Sequence, residues 1–227
     1  MSPDTITVIV TSADYGFFLP TCLDSVLLQT RLPDQLIFLD DGSVDHSVDI
    51  WRRYKPLFRS RISSANQKCS ISEITGEWRG RVDSLNVAMA CVTSDLVLIV
   101  DADDILHSSF LEVCSEAIAS YDVVYTDACL FGMTWESRQA PDFSRDIIKS
   151  GNYIPMTSLF RKAAFDKTEG FREFQQEDHD LWLQIAESGG TFLHVPQYLL
   201  NWRQHPYGQR HKTGDAGRRQ RLQSNPR

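Results

Sequence analysis

Residues 96–107 read "LVLIVDADDILH". Five apolar residues, Leu96 to Val100, run straight into Asp101, Asp103 and Asp104. A continuous apolar run of this length predicts a strand buried on both faces of a sheet. Carboxylates gathered at the end of such a strand repel one another unless positive charge sits among them. One Asp as the cap of the following helix, with Asp104 or Ser108 in that role, accounts for one acid but not three.

The neighbouring segments repeat the theme. "TITVIVTSA" (5–13) predicts a buried first strand, and "QLIFLDDGS" (35–43) a second that ends in Asp40, Asp41 and a glycine turn. Helical spacing marks 18–30, 81–92 and 108–121. Residues 47–58 read as a helix broken near Pro56, and "RISSANQ" (61–67) as a short third strand. Strand and helix therefore alternate through the first half. That order predicts an α/β fold with a mostly parallel, Rossmann-like central sheet flanked by helices. Ligands of such sheets bind beyond the C-terminal strand ends, so the acids at 40–41 and 101–104 are expected to face one crevice.

The second half is less regular. A strand is expected at 121–131, a loop with a short helix near 142–155, a strand turning into helix at 156–165, and a helix over 177–188. "GGTFLHVP" and "QYLLNWRQH" read as two strands. No repeat or low-complexity linker interrupts the chain. One domain is expected over 1–205, with a nucleotide-binding half (1–104), an acceptor half (105–205) and a solvated basic tail (206–227).

The composition is that of a soluble globular protein: 227 residues, 42% hydrophobic and 23% charged. No apolar stretch approaches the ~20 residues of a membrane span, and "MSPDTITVIV" lacks the pattern of a signal peptide. The five cysteines are scattered, with no CxxC pair, and fit free thiols in a reducing cytoplasm better than disulfides or a metal site. Net charge is −7 but uneven. Residues 203–227 hold seven Lys/Arg and one Asp, leaving 16 basic and 29 acidic residues in 1–202. An acidic body argues against nucleic acid as a partner. The basic tail suits weak contact with an anionic membrane surface, and so a peripheral cytoplasmic location.

Alternating carboxylates at a sheet crevice suit a hard divalent cation, Mg²⁺ or Mn²⁺, which keeps water and takes substrate phosphate oxygens. A bare D-x-D is weak by itself. Four ordered motifs are more specific: "FLDDGSVDHS", "LVLIVDADD", "EGFREFQQEDHDLWLQIAESG" and "WRQH". Over roughly 5–205 the chain resembles the family 2 glycosyltransferases of the GT-A fold. The resemblance implies inverting, metal-dependent transfer from a nucleotide-diphosphate sugar, a UDP-sugar by expectation, to a hydroxyl acceptor. That acceptor would be a glycan, a lipid-linked glycan or a protein, as in polysaccharide biosynthesis. It also implies roles: Asp41, beside Asp40, on base or ribose; Asp103 on the metal; Asp101 on ribose or metal-bound water; Asp178 as general base, its proton affinity raised by Glu177 and Asp180. Arg203 and His205 match positions that meet the diphosphate or complete the metal site.

The sequence departs from the family in two places. "TSAD" (11–14) replaces a Pro-Thr-Tyr-Asn-like run, leaving Ser12 and Asp14 to serve the base. Leu85-Asn86 stands where Arg-Asn is usual, with Arg79 and Arg81 upstream to reach the nucleotide. Three other readings compete: a D-x-D phosphotransfer enzyme, a response-regulator receiver, and a non-catalytic nucleotide- or sugar-binding module. In the first, D-x-D normally ends the first strand. The second needs only ~120 residues, within the range of a small domain. Intact Asp103 and Asp178 weigh against the third.

Overall fold

The computed structural model describes residues 4–174 and 176–206. The chain opens with strand β1 (Ile6–Ser12), helix α1 (Leu19–Leu27), β2 (Gln35–Asp40), α2 (Ser47–Ser64), β3 (Ser70–Ile74), α3 (Arg81–Ala90) and β4 (Leu96–Asp101). It continues through β5 (Ile105–Leu106), α4 (Phe110–Ala117), β6 (Val123–Gly132), β7 (Glu136–Arg138), α5 (Arg145–Ser150), β8 (Leu159–Arg161), α6 (Lys162–Phe165), α7 (Glu177–Glu187) and β9 (Phe192–Gln204). The strands form one sheet in the order β3-β2-β1-β4-β8-β6-β9-β5, with β7 beside β6.

The first four strands in that order are parallel to one another, as the alternating pattern predicts. β8 runs antiparallel to both β4 and β6. Apolar residues of the central strands alternate between two cores. Val8, Val10, Phe38, Leu98 and Val100 pack beneath α1, α2 and α4, while Ile9, Ile37, Val97 and Ile99 pack beneath α3 and α7. Burial on both faces is why these strands carry almost no polar residue before their ends.

Three expectations differ from the structure. α2 does not break at Pro56 but continues to Ser64. Pro56 lies on the exposed face, where the Arg52 carbonyl that loses its helical partner meets water. Trp51, Phe58 and Ile62 keep the other face buried, Trp51 stacking on Phe38 at 4.9 Å. The third strand accordingly comes later, at 70–74, and α2 occupies part of the segment first read as strand. The final two strands are one: β9 runs through Pro196, and its pairing with β6 slips there as a bulge. A bulge accommodates a residue that has no N–H for the ladder.

No helix among the described residues is long and apolar enough to cross a membrane. From residue 207 onward the basic tail lies outside the described residues.

Candidate active site

The end of β4 turns sharply. Ala102 N donates to Thr11 O at 3.0 Å, and Asp104 N to Asp101 O at 3.0 Å. Ala102 is buried, so Asp101 and Asp103 flank it on the crevice side of the turn.

Each of the three acids meets a different positive or donating group. Asp101 Oδ1 accepts from Thr11 Oγ1 at 2.7 Å and pairs with Arg81 at 2.8 Å. Arg81 also forms a close ion pair with Glu177, the first residue of α7. His205 Nε2 lies 2.8 Å from Asp103 Oδ2. Arg203 Nε donates to the Asp103 carbonyl at 2.8 Å, and its backbone N–H to Asp104 Oδ1 at 3.0 Å. The Arg203 guanidinium is held between Phe18 and Phe131, 4.7 and 4.3 Å from their ring centroids. Burial pushes the Asp104 carboxyl well above its usual range, and the nearby Asp103 and Asp101 push it further. The acids at this strand end are thus met by two different arginines, Arg81 and Arg203, and by a hydrogen bond with His205, rather than by a single counter-charge.

The β2 end forms the adjoining wall, since Ser12 is in register with Asp40, and Thr11 with Asp101. Asp40 accepts from both the N–H and the hydroxyl of Ser43. Burial raises its proton affinity, and the two Ser43 bonds partly offset that. Asp41 N donates to Ser12 O at 2.9 Å, while Asp41 Oδ1 accepts from Arg79 N and Ser84 Oγ, both at 2.8 Å. Asp41 therefore ties the strand end to the start of α3. Gly42 has φ +66, and a Cβ there would lie 2.4 Å from Trp78 N, so this turn needs glycine. Asp14 adopts φ 60 and accepts from Val44 N at 2.7 Å. Ser12 Oγ is buried with no hydrogen-bond partner among the described residues. A buried hydroxyl in that state fits a site completed by ligand.

Asp178 comes from the other half of the chain. Its carboxylate accepts the His179 N–H at 2.8 Å. Burial raises its proton affinity, with Glu177 adding to the rise; Asn152, the His179 N–H and Arg81 oppose it. The expected crowding by Asp180 does not occur. Arg172 holds Asp180 through Nε at 2.9 Å and Nη2 at 2.5 Å, which keeps that carboxyl below its usual range. Glu177 turns instead to Arg81, so the two acids expected to crowd Asp178 have separate partners.

The Gly170-Phe171 turn before α7 is fixed by Asn86 of α3. Asn86 donates to Phe171 O at 2.8 Å and accepts from Phe171 N at 3.0 Å. Gly170 has φ +78, and a Cβ there would press on Asn86 Oδ1 at 2.8 Å. Thr11 and Asn86 stand in the two segments that depart from the family pattern, and neither was read as a site member. Asn152 carries no motif, and Arg81 and Glu177, which pair, lie 96 residues apart.

Among the described residues no group of three or more His, Cys, Asp and Glu is arranged to hold a metal ion. The Asp103–His205 pair offers one carboxylate and one imidazole. Mg²⁺ and Mn²⁺ sites built on one or two protein ligands plus water and substrate phosphate use such a donor set.

Residues 7–180 match the model of glycosyl transferase family 2. The chain belongs to that family. A UDP-Gal:α-D-GlcNAc-diphosphoundecaprenol β-1,3-galactosyltransferase of Escherichia coli is 27% identical over 210 residues, covering 84% of this chain and 70% of that protein. The crystal structure of S. aureus TarS 1-349 in complex with UDP is similar at TM-score 0.70 and 19% identity, over 89% of this chain and 61% of that one. The mannosyltransferase PcManGT from Pyrobaculum calidifontis, in complex with GDP-Man and Mn²⁺, is similar at TM-score 0.65 and 19% identity, over 88% of this chain and 57% of that one. The fold of this family 2 chain is therefore the GT-A arrangement of a mostly parallel sheet flanked by helices. The chain spans about half, or less, of the length of several other curated relatives.

Proposed function

We propose that the protein transfers a sugar from a nucleotide-diphosphate sugar, a UDP-sugar by preference, to a hydroxyl acceptor with inversion at the anomeric carbon. The observation that carries the proposal is the Arg81 bridge. One guanidinium joins Asp101 at the D-x-D strand end to Glu177 at the start of α7. Asp178, a half-buried carboxylate of raised proton affinity, is therefore held next to the crevice where the donor would lie.

The roles divide between two walls. Ser12, Asp14, Asp40 and Asp41 receive the base and ribose, with the unpartnered Ser12 hydroxyl available to the nucleotide. Arg81 orients Asp101 rather than reaching the nucleotide freely, because both its carboxylate partners are in contact with it. Arg203 faces the diphosphate. Asp103 and His205 would hold a divalent ion, Mn²⁺ or Mg²⁺, which supplies Lewis-acid neutralisation of the leaving diphosphate. The GDP-Man and Mn²⁺ in the mannosyltransferase neighbour support that role. Asp178 takes the proton of the attacking hydroxyl, and its raised proton affinity suits a base that must accept one near neutral pH. Residues 1–205 act as one domain in this reading. The acidic body and basic tail suit a cytoplasmic enzyme in weak contact with anionic membrane.

Thermal denaturation with a panel of nucleotide sugars, with and without Mn²⁺, tests the reading. A ligand at 100 times its Kd adds about 2.7 kcal/mol to stability. A nucleotide sugar should raise Tm in the presence of metal, and Asp103→Asn should lose that metal-dependent rise while melting normally alone. An equal rise in EDTA, or an unchanged rise in the variant, would remove Asp103 from the metal site.

A further inference from the structure

Beside Arg203 the surface carries a row of large apolar side chains that neither core takes in. The rings of Phe17 and Phe18 lie 5.1 Å apart at the start of α1. Phe18 and Phe131 hold the Arg203 guanidinium between them, and Phe131 meets Trp135 at 6.2 Å. Met133 stands in the turn between Phe131 and Trp135, where β6 passes into β7. Phe17, Met133 and Trp135 are 65%, 68% and 84% exposed. Single apolar residues scattered on a surface need no explanation, but a contiguous row marks a contact site.

The turn that presents Met133 and Trp135 is fixed in place. Met133 N donates to Gln204 O at 2.9 Å. Gly132 has φ +103, and a Cβ there would lie 2.5 Å from that same oxygen, so the close approach of the turn to β9 needs glycine. Ladder pairs from Leu130–Glu136 to Ala128–Arg138 close the hairpin behind it. The exposure is therefore built into the fold rather than the result of fraying. Charge indicates what covers it. The described chain ends at Pro206, two residues beyond Gln204. Residues 207–227 hold six Lys/Arg and one Asp. The body itself is acidic, and Glu136 is exposed next to Trp135, so attraction to an anionic surface must come from that segment. An aromatic row with a basic segment leaving its edge fits a phospholipid surface, where Trp and Phe settle at headgroup level and Lys and Arg meet phosphates.

We propose that Phe17, Met133 and Trp135 form a docking surface for an anionic phospholipid bilayer, with the basic segment 207–227 as its electrostatic partner. The surface rests on the peripheral membrane contact proposed above and gives that contact an orientation. Arg203 sits within the row and donates to the Asp103 carbonyl at 2.8 Å, so the strand-end acids lie directly behind the patch. Docking by this face turns the rim of the crevice toward the headgroups. The two contributions respond differently to salt. Attraction of the basic segment is screened beyond about 10 Å at 0.1 M salt, whereas insertion of the apolar row does not depend on charge. The segment supplies the approach that salt weakens, and the row supplies the hold that survives it.

The full chain is sedimented with vesicles of phosphatidylcholine alone and of phosphatidylcholine mixed with phosphatidylglycerol, and its tryptophan fluorescence is read with brominated acyl chains as quencher. Sedimentation with the anionic vesicles, accompanied by quenching, is expected. Trp135→Phe should lose most of the quenching and sediment almost as wild type does. Phe17→Ser, Met133→Ser and Trp135→Ser combined should weaken vesicle binding roughly tenfold or more, the cost of leaving even one large apolar side chain in water. Deleting 207–227 should remove the salt-sensitive part of the binding and keep the quenching when vesicles are in excess. Melting followed by circular dichroism, and the Tm rise given by a nucleotide sugar, report that each variant is folded. Binding by the triple variant equal to that of wild type assigns the contact to the basic segment alone and overturns the docking surface. Wild-type binding to neither vesicle overturns it as well. So does a lipid-free dimer that the triple substitution dissociates, because a second copy then covers the row. Equal binding to both vesicle types overturns the electrostatic role of the segment. Failure of every nucleotide sugar to raise Tm overturns the proposed sugar transfer but not the docking surface.

Discussion

Replacing Arg81 with methionine removes the charge that joins the two halves of the site while keeping much of the side chain's bulk. Asp101 and Glu177 then face each other without a cation. The side chains of Arg81, Asp101 and Glu177 are 18%, 32% and 20% exposed, so the group is neither a surface pair nor a fully buried one. Exposed pairs are worth about 0–1 kcal/mol, and breaking a buried pair costs about 3–5 kcal/mol. An intermediate loss of about 2–3 kcal/mol is expected. For a chain of this size each kcal/mol moves Tm by about 2–4 °C, which gives a fall of about 4–12 °C. Adding Glu177→Gln to the Arg81→Met protein should restore part of the loss, since one of the two stranded carboxylates disappears. Thermal and urea denaturation followed by circular dichroism, without ligand, measure both variants. A change of less than about 0.5 kcal/mol in Arg81→Met, the ordinary range for an uninvolved surface site, would refute the bridge. So would a Glu177→Gln substitution that adds to the loss.

Asp178→Asn should lower turnover by roughly 10²–10⁴-fold, the worth of a general base, while the Tm rise given by nucleotide sugar persists. In wild type, kcat/KM should climb as pH rises through the Asp178 pKa, and that limb should lie above the ordinary Asp value of about 3.9 because burial raises it. Asp104→Asn should stabilise the fold at neutral and higher pH. The folded-state pKa of Asp104 is raised, so between the unfolded and folded values the native state holds the proton that the unfolded chain has lost. Stability then falls as pH rises, and asparagine avoids that fall. Urea unfolding at several pH values should show a gain that disappears below about pH 4, where both states are protonated. A gain that is largest in acid would contradict the burial argument.

The parts of the fold that were legible were those in which burial writes a continuous pattern. β1, β2 and β4 are apolar on both faces, and their ends are marked by acids and a glycine turn. β3 was misplaced because "SISEI" (70–74) is an edge strand with partly exposed residues, and its pattern is no stronger than that of the α2 tail before it. Pro56 misled because a proline on the solvent side of an amphipathic helix costs less than losing the Phe58 and Ile62 contacts beyond it. Within the site, acids at strand ends could be read, but their partners could not. Glu177 and Asp180 were both expected to act on Asp178, whereas the fold brings Arg81 to one and Arg172 to the other. Such pairings depend on which strand ends the crossovers bring side by side, and no short window of sequence holds that information.

The proposed transfer is an inverting displacement in which Asp178 acts from the side opposite the diphosphate. Proton NMR of slow donor hydrolysis tests it without knowledge of the natural acceptor. A UDP-α-sugar is incubated with Mn²⁺, and the anomeric signal of the released sugar is recorded before it mutarotates. The β-anomer should appear first, and Asp178→Asn should nearly abolish its formation. Initial release of the α-anomer, or undiminished hydrolysis by the variant, would contradict it.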